Sequence, residues 1–315
     1  MILSSYEEFS RPGLRFLGKF SPFFYARDKT TDEDVIIKRV PHSNCGYDAS
    51  GVVIHDTQLE ISILKELSNH ENIVQLKDCI DDSSCEIFFL VFERLRYDLR
   101  YILDRERIIA NNEMSDSILS QRQIKSYMYQ CCRGLAFCHE KGIMHPDLKP
   151  QHMLLTGEGG LKLAGFGLSR SLRDGRGPLT HEVVTLWYRP PEILLGSQLY
   201  DRSIDIWSLG CVFAEMIMGC PLLPGDSEID QLYKIFRQLG TPNEDIWPGV
   251  TSFTDWNSKY PKWYLSDFHK NIEKNVDPLG HELLEMFLMY NPLDRISAKD
   301  ALEHPYFDGL NEGSN

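Results

Sequence analysis

No stretch of this chain approaches the ~18 consecutive apolar residues of a membrane-spanning helix. The run Ile87–Phe92 has only the length of a strand. The opening MILSSYEEFSRPG lacks a basic segment followed by an apolar one, so no secretory signal is legible and an intracellular protein, in cytoplasm or nucleus, is expected. The eight cysteines include no CxxC pair, which argues against a zinc site and leaves buried, reduced thiols as the simplest reading. Cys138-His139 invites a nucleophile reading, but sequence neighbours on a helix point apart. There is no internal repeat and no low-complexity tract. Positive charge is scarce: 33 Lys and Arg against 46 Asp and Glu leave a net charge of −13. Such a chain repels DNA and RNA at long range, so no nucleic-acid partner is expected. No amphipathic basic helix points to a membrane surface either.

What is present reads as an ordinary folded protein, 42% hydrophobic and 25% charged over 315 residues, enough for about two domains or one bilobal one. The first ninety or so residues are mostly strand-like. Phe23–Ala26, Val35–Val40 and Glu86–Phe92 are apolar-rich runs bounded by polar turns. One helix interrupts them, with Leu59, Ile63, Leu64 and Leu67 at helical spacing and Thr57-Gln58-Leu59-Glu60 as a capping-box pattern. Beyond residue 97 the period turns helical: Arg122–His139, Ile204–Met218, Ile229–Leu239 and His281–Met289. A short hairpin lies between, Met153–Leu155 and Leu161–Leu163 around Gly157-Glu158-Gly159-Gly160. The fold class is therefore α+β. A small β-rich lobe joined to a larger helical lobe implies a ligand cleft between them.

An ordered set of motifs runs through both halves. Residues 145–155 read His-Pro-Asp-Leu-Lys-Pro-Gln-His-Met-Leu-Leu, and eighteen residues after Asp147 comes Gly165-Phe166-Gly167. Thr180–Glu192, Asp205-Ile-Trp-Ser-Leu-Gly210, Val35-Ile-Ile-Lys38 and Glu60 complete the set. From about Arg15 to Phe307 the chain resembles the eukaryotic protein kinases. Within them THEVVTLWYRPPEILLG and LGTPNEDIWPG are similar to cyclin-dependent kinases, and QIKSYMYQCCRGLAFCH is similar to their cell-cycle-related branch, which the family links to cilia. The resemblance implies a bilobal kinase domain: an N-lobe over 1–94, a C-lobe over 95–308 with an insert near 239–275, and a frayed tail over 309–315.

Phosphoryl transfer needs positioning and charge neutralisation. By resemblance, Lys38 holds nucleotide phosphates and Glu60 holds Lys38. Asp147 is the base, Lys149 screens the moving phosphate, and Thr185 bridges the two. Gly18, Ile36, Phe92, Glu93, Leu95, Asp98 and Leu154 would border the nucleotide, with Phe92 as gatekeeper and Leu154 as floor. Thr180 matches an activation-loop phosphorylation site. Glu192, Asp205 and Arg295 match scaffold residues.

Several positions depart from that pattern. The two metal-ligand positions hold His152 and Gly165, one a poor partner for a hard cation and the other without a side chain. In the glycine-rich loop only Gly18 falls on a glycine position; Phe16 and Ser21 take the others, and Lys19 and Phe20 replace inhibitory phosphorylation sites. Ile36 stands where a small alanine roofs the purine and Phe23 where a valine packs, so the roof is expected to be filled. Of three phosphate-clamp arginines only Arg170 remains, Pro146 and Leu59 replacing the others. The expectation is weak ATP binding at most, poorly held Mg²⁺, and a kinase-fold protein that regulates or scaffolds protein partners, such as a cyclin-like activator or other kinases. The alternative is an active proline-directed Ser/Thr kinase with unusual metal coordination, since Lys38, Glu60, Asp147, Lys149 and Thr185 survive.

Overall fold

The computed structural model describes residues 4–9, 22–42, 57–110, 119–172, 185–197, 201–264, 272 and 275–310, without side chains at 106–110. Gly18 and its neighbours Phe16, Lys19, Phe20 and Ser21 lie outside the described residues, as does Thr180.

Alternation along the strands sets the frame of the smaller lobe. Its sheet runs β1-β2-β3-β5-β4, all neighbours antiparallel: β1 Tyr6–Glu8, β2 Phe23–Asp28, β3 Asp34–Pro41, β4 Leu76–Asp82 and β5 Ile87–Glu93. Successive strand side chains face opposite sides. Phe24, Ala26, Val35, Ile37, Phe89 and Val91 therefore form one apolar cluster on the outer face. Phe23, Tyr25, Ile36, Lys38 and Phe92 project to the other face, over the cleft. Helix α1 (Thr57–Leu67) closes that side with Ile63, Leu64 and Leu67 buried. The helix begins at Thr57 itself, whose hydroxyl donates to the Pro41 carbonyl at 3.2 Å, and Glu60 turns inward to Lys38. The inward turn of Glu60 to Lys38 comes from docking of the helix against the sheet.

The larger lobe is built on helices that bury one face or all of themselves. Helix α2 covers Leu99–Ala110. Helix α3 (Gln121–Glu140) starts with a complete capping box between Ser120 and Gln123 and buries Ile124, Tyr127, Met128, Cys131, Leu135 and Cys138. After the short α4 (Pro191–Leu194), α5 (Ser203–Met218) is buried nearly all round. Such a helix belongs to the centre of a core. It nevertheless carries Asp205 and Glu215, each fully buried. Glu215 accepts from Tyr188 Oη at 2.7 Å and pairs with Arg100, while burial pushes its carboxyl up. Helices α6 (Glu228–Leu239), α7 (Pro278–Phe287) and α8 (Ala298–Ala301) complete the lobe. Leu310, placed in a frayed tail by the sequence reading, packs against this core.

The inner thiols Cys131, Cys132, Cys138 and Cys211 are buried, and burial pushes each thiol up, which makes them poor nucleophiles. His139 donates its Nε2 to Asp205, not to Cys138. Among the described residues no helix is long and apolar enough to cross a membrane.

Candidate active site

Short strands bring the motif residues together between the lobes. β7 (Ile143–Met144) pairs with β10 (Arg170–Ser171), and β8 (Met153–Leu155) lies between β6 (Tyr97–Asp98) and β9 (Leu161–Leu163). Between β7 and β8 the segment 145–152 is pinned at several points. The Asp205 carboxylate accepts from the His145 backbone N–H and from His139 Nε2, both at 2.8 Å. His145 Nε2 donates to the Ala164 carbonyl at 2.7 Å, and the Ala164 N–H donates to the His152 carbonyl at 2.8 Å. The two strand-flanking loops are thus tied to each other and to the central helix.

On this frame Lys149 Nζ lies 2.7 Å from Asp147 Oδ2 and 3.0 Å from Thr185 Oγ1, and Thr185 donates to Asp147 Oδ1 at 2.9 Å. The three residues read as a reacting group form one closed triangle. Across the cleft, Lys38 meets both oxygens of the buried Glu60 at 2.8 and 2.9 Å. Burial would raise the Asp147 carboxyl; the imidazole, ammonium and hydroxyl around it outweigh that and hold it below the ordinary carboxylate range.

Beside the Lys38–Glu60 pair opens a cavity of about 480 Å³, bordered on the side of the catalytic segment by Gln151 and His152. That falls within the ~300–1,000 Å³ of small-molecule sites. Ile36 and Phe23 line it rather than fill it, so the expected closure of the roof is corrected: the larger side chains narrow an open slot. Phe92, Leu95 and Leu154 line it as well. Asp98 and Glu93 reach it with their carboxylates already engaged. Asp98 Oδ1 accepts the Tyr101 N–H at 2.7 Å and caps α2, while burial raises its carboxyl. Glu93 holds Lys162 at 2.7 and 2.8 Å. Tyr25 and Gln151 also line the cavity and escaped sequence reasoning, although Tyr25 could have been found two residues after Phe23 on the same strand face. Of the residues around the phosphate clamp, Leu59 packs against the core, Pro146 is buried, and the buried Arg170 donates to the Ser169 carbonyl at 3.0 Å.

The metal positions are occupied by each other. Gly165 adopts φ +83°, and a Cβ built there would lie 2.4 Å from both Cγ and Nδ1 of His152. The imidazole stands where a side chain at 165 would begin. Its Nδ1 donates to the Asp147 carbonyl at 2.8 Å. Magnesium asks for oxygen ligands in near-octahedral array, and this pair supplies none from its side chains. The donor set does not fit the ion.

Burial pushes the His152 imidazole down to about 4 from an ordinary 6.5, against the pull of the neighbouring Asp147 carboxylate and with His145 and Lys149 adding to the fall. An unfolded chain takes up that proton near pH 6.5 and the folded one only near 4, so the folded state binds fewer protons in between. Stability is complete above pH 6.5 and is lost as pH falls toward 4, by at most about 3 kcal/mol. Denaturant melts across this window should show that decline, and His152→Asn should flatten it; parallel slopes for the two proteins would contradict the assignment.

The two-lobed frame carries the Lys38–Glu60 pair on one side of the cleft and the Asp147–Lys149–Thr185 triangle on the other. Residues 17–307 match the family model of the protein kinase domain, and the chain belongs to that family.

Proposed function

We propose that this protein is a cyclin-dependent-kinase-like member whose phosphoryl transfer is lost or strongly impaired, and which works as a regulatory or scaffolding protein. The observation that carries the reading is the interlock of His152 with Gly165, which removes both oxygen donors from the metal position and fills part of their space. The charges of the cleft support it. Among the described residues Lys38 and Lys149 are each paired with a carboxylate, which leaves Arg96 at the rim as the cavity-lining cation without a carboxylate partner to meet a triphosphate that enters without a metal ion. Its partners on this reading are proteins, a cyclin-like subunit or other kinases, met in the cytoplasm, nucleus or cilium. Only Glu60 is kept from the stretch that relatives present to a cyclin.

One observation favours a second reading, an active proline-directed Ser/Thr kinase. Glu60, Lys38, Asp147, Lys149 and Thr185 stand in a fully assembled arrangement. The two readings separate in one experiment. A ligand at 100 times its Kd adds about 2.7 kcal/mol of stability. Millimolar ATP with Mg²⁺ is expected to leave the unfolding midpoint where EDTA leaves it, and phosphate incorporation is expected to equal that of Asp147→Asn. A Mg²⁺-dependent shift together with incorporation abolished by Asp147→Asn would establish the active kinase instead.

A further inference from the structure

Among the described residues, charged groups around the cavity other than Arg96 are satisfied within the protein. Lys38 pairs with Glu60, Lys149 with Asp147 and Lys162 with Glu93, while Asp98 caps α2. Arg96 stands exposed at the rim. The surface left to a ligand is apolar and aromatic: Phe23, Tyr25, Ile36, Phe92, Leu95 and Leu154.

His152 adds one polar atom to that surface. A carbonyl oxygen only accepts, so the Nδ1 that lies 2.8 Å from the Asp147 carbonyl carries the ring hydrogen. Burial keeps the ring neutral at pH 7. Nε2 therefore bears a lone pair. The face of the ring, over Cγ, Nδ1 and Cδ2, lies against Gly165, which leaves the Nε2 edge clear of it. Among the described residues Nε2 has no bonded partner and is not enclosed, and the ring lines the cavity. It is an acceptor, set where a kinase would need a cation ligand.

We propose that the cleft is a divalent-independent site for a flat, uncharged ligand with a hydrogen-bond donor, which Nε2 of His152 accepts. The proposal rests on the reading that phosphoryl transfer is lost, and it inverts the usual order of preference. Each phosphate added to such a ligand brings charge toward a lone pair and a carboxylate, with no ion to bridge them. The aromatic walls supply the affinity and the imidazole supplies the orientation.

Adenosine is a suitable probe, compared with ADP and ATP by calorimetry on the full chain in EDTA, in Mg²⁺ and in Mn²⁺. Adenosine is expected to bind at least tenfold tighter than ATP in all three, with a Kd unchanged by the chelator. His152→Phe keeps a ring against Gly165 and removes the acceptor, and should weaken adenosine about fivefold, as loss of one neutral hydrogen bond does. A second readout follows ligand binding in the unaltered protein, with the variant used only for assignment. In protein labelled with 15N-histidine the Nε2 resonance of His152, identified by its absence from His152→Phe, should move on adding adenosine in EDTA. A resonance that stays put while adenosine binds overturns the role of His152. Absence of adenosine binding overturns the proposal and leaves the loss of phosphoryl transfer standing. Tighter binding of ATP with Mg²⁺ or Mn²⁺, together with phosphate incorporation, overturns both.

Discussion

Gly165→Asp, introduced alone, is expected to destabilise the protein by on the order of 3 kcal/mol, roughly 6–12 °C in melting temperature. The new Cβ would sit 2.4 Å from His152 Cγ, the root of the imidazole and not a flexible tip. The whole ring must swing, which breaks the Nδ1 bond to the Asp147 carbonyl. The backbone at φ +83° adds a smaller cost, because aspartate tolerates the left-handed region better than most residues. His152→Ala removes each of the three ring atoms nearest the new Cβ. The double variant should therefore recover most of the loss, and the cycle of two singles and the double should give a coupling of about 2 kcal/mol. Additive effects would mean that the two positions do not obstruct each other. Restoring the metal site accordingly requires position 152 to change with position 165. In the series Gly165→Asp, His152→Asn and Ile36→Ala, ATP affinity is expected to rise only once the first two are combined.

Arg295→Leu is the second large effect, a loss of about 3–5 kcal/mol. Arg295 grips Glu192 through two parallel bonds of 2.6 Å, and both side chains are essentially excluded from water. Its Nε also donates to the Met289 carbonyl at 2.8 Å, and the guanidinium lies 5.0 Å over the Trp207 ring. Removing it strands a carboxylate in the core of the larger lobe. Removing both partners, in Arg295→Leu with Glu192→Leu, should cost less than Arg295→Leu alone, because no unpaired charge then remains. Denaturant midpoints of the two variants decide the matter. A double variant weaker than the single would show that the arginine acts mainly through its carbonyl contacts and not through the carboxylate.

Much of the frame was legible in the residues, for identifiable reasons. β3 and β5 are short apolar-rich runs bounded by polar residues, and α1 and α3 carry apolar side chains at helical spacing, so hydrophobic pattern alone placed them. β4 was not found, because Leu-Lys-Asp-Cys-Ile-Asp-Asp lies at the edge of the sheet and buries little. Its conformation comes from pairing with β5, a non-local cause. Asp98 as a cap was within reach of sequence rules, since a carboxylate standing directly before a helical run is a standard N-terminal signal. Glu215 inside an apolar helix signalled a buried partner without naming Arg100 or Tyr188, which are distant in the chain. The interlock of His152 with Gly165 was the least legible. Sequence marks each as a lost ligand, but their contact depends on a left-handed backbone turn and a hydrogen bond back to residue 147.

The closed pair of Lys38 and Glu60 has a consequence of its own. Many regulatory proteins exist in two shapes, and a binder that reads one shape loses affinity in proportion to the fraction of molecules holding the other. Here the helix carrying Glu60 is seated against the sheet, with its carboxylate paired to Lys38. A surface that recognises the assembled lobe meets it ready-made.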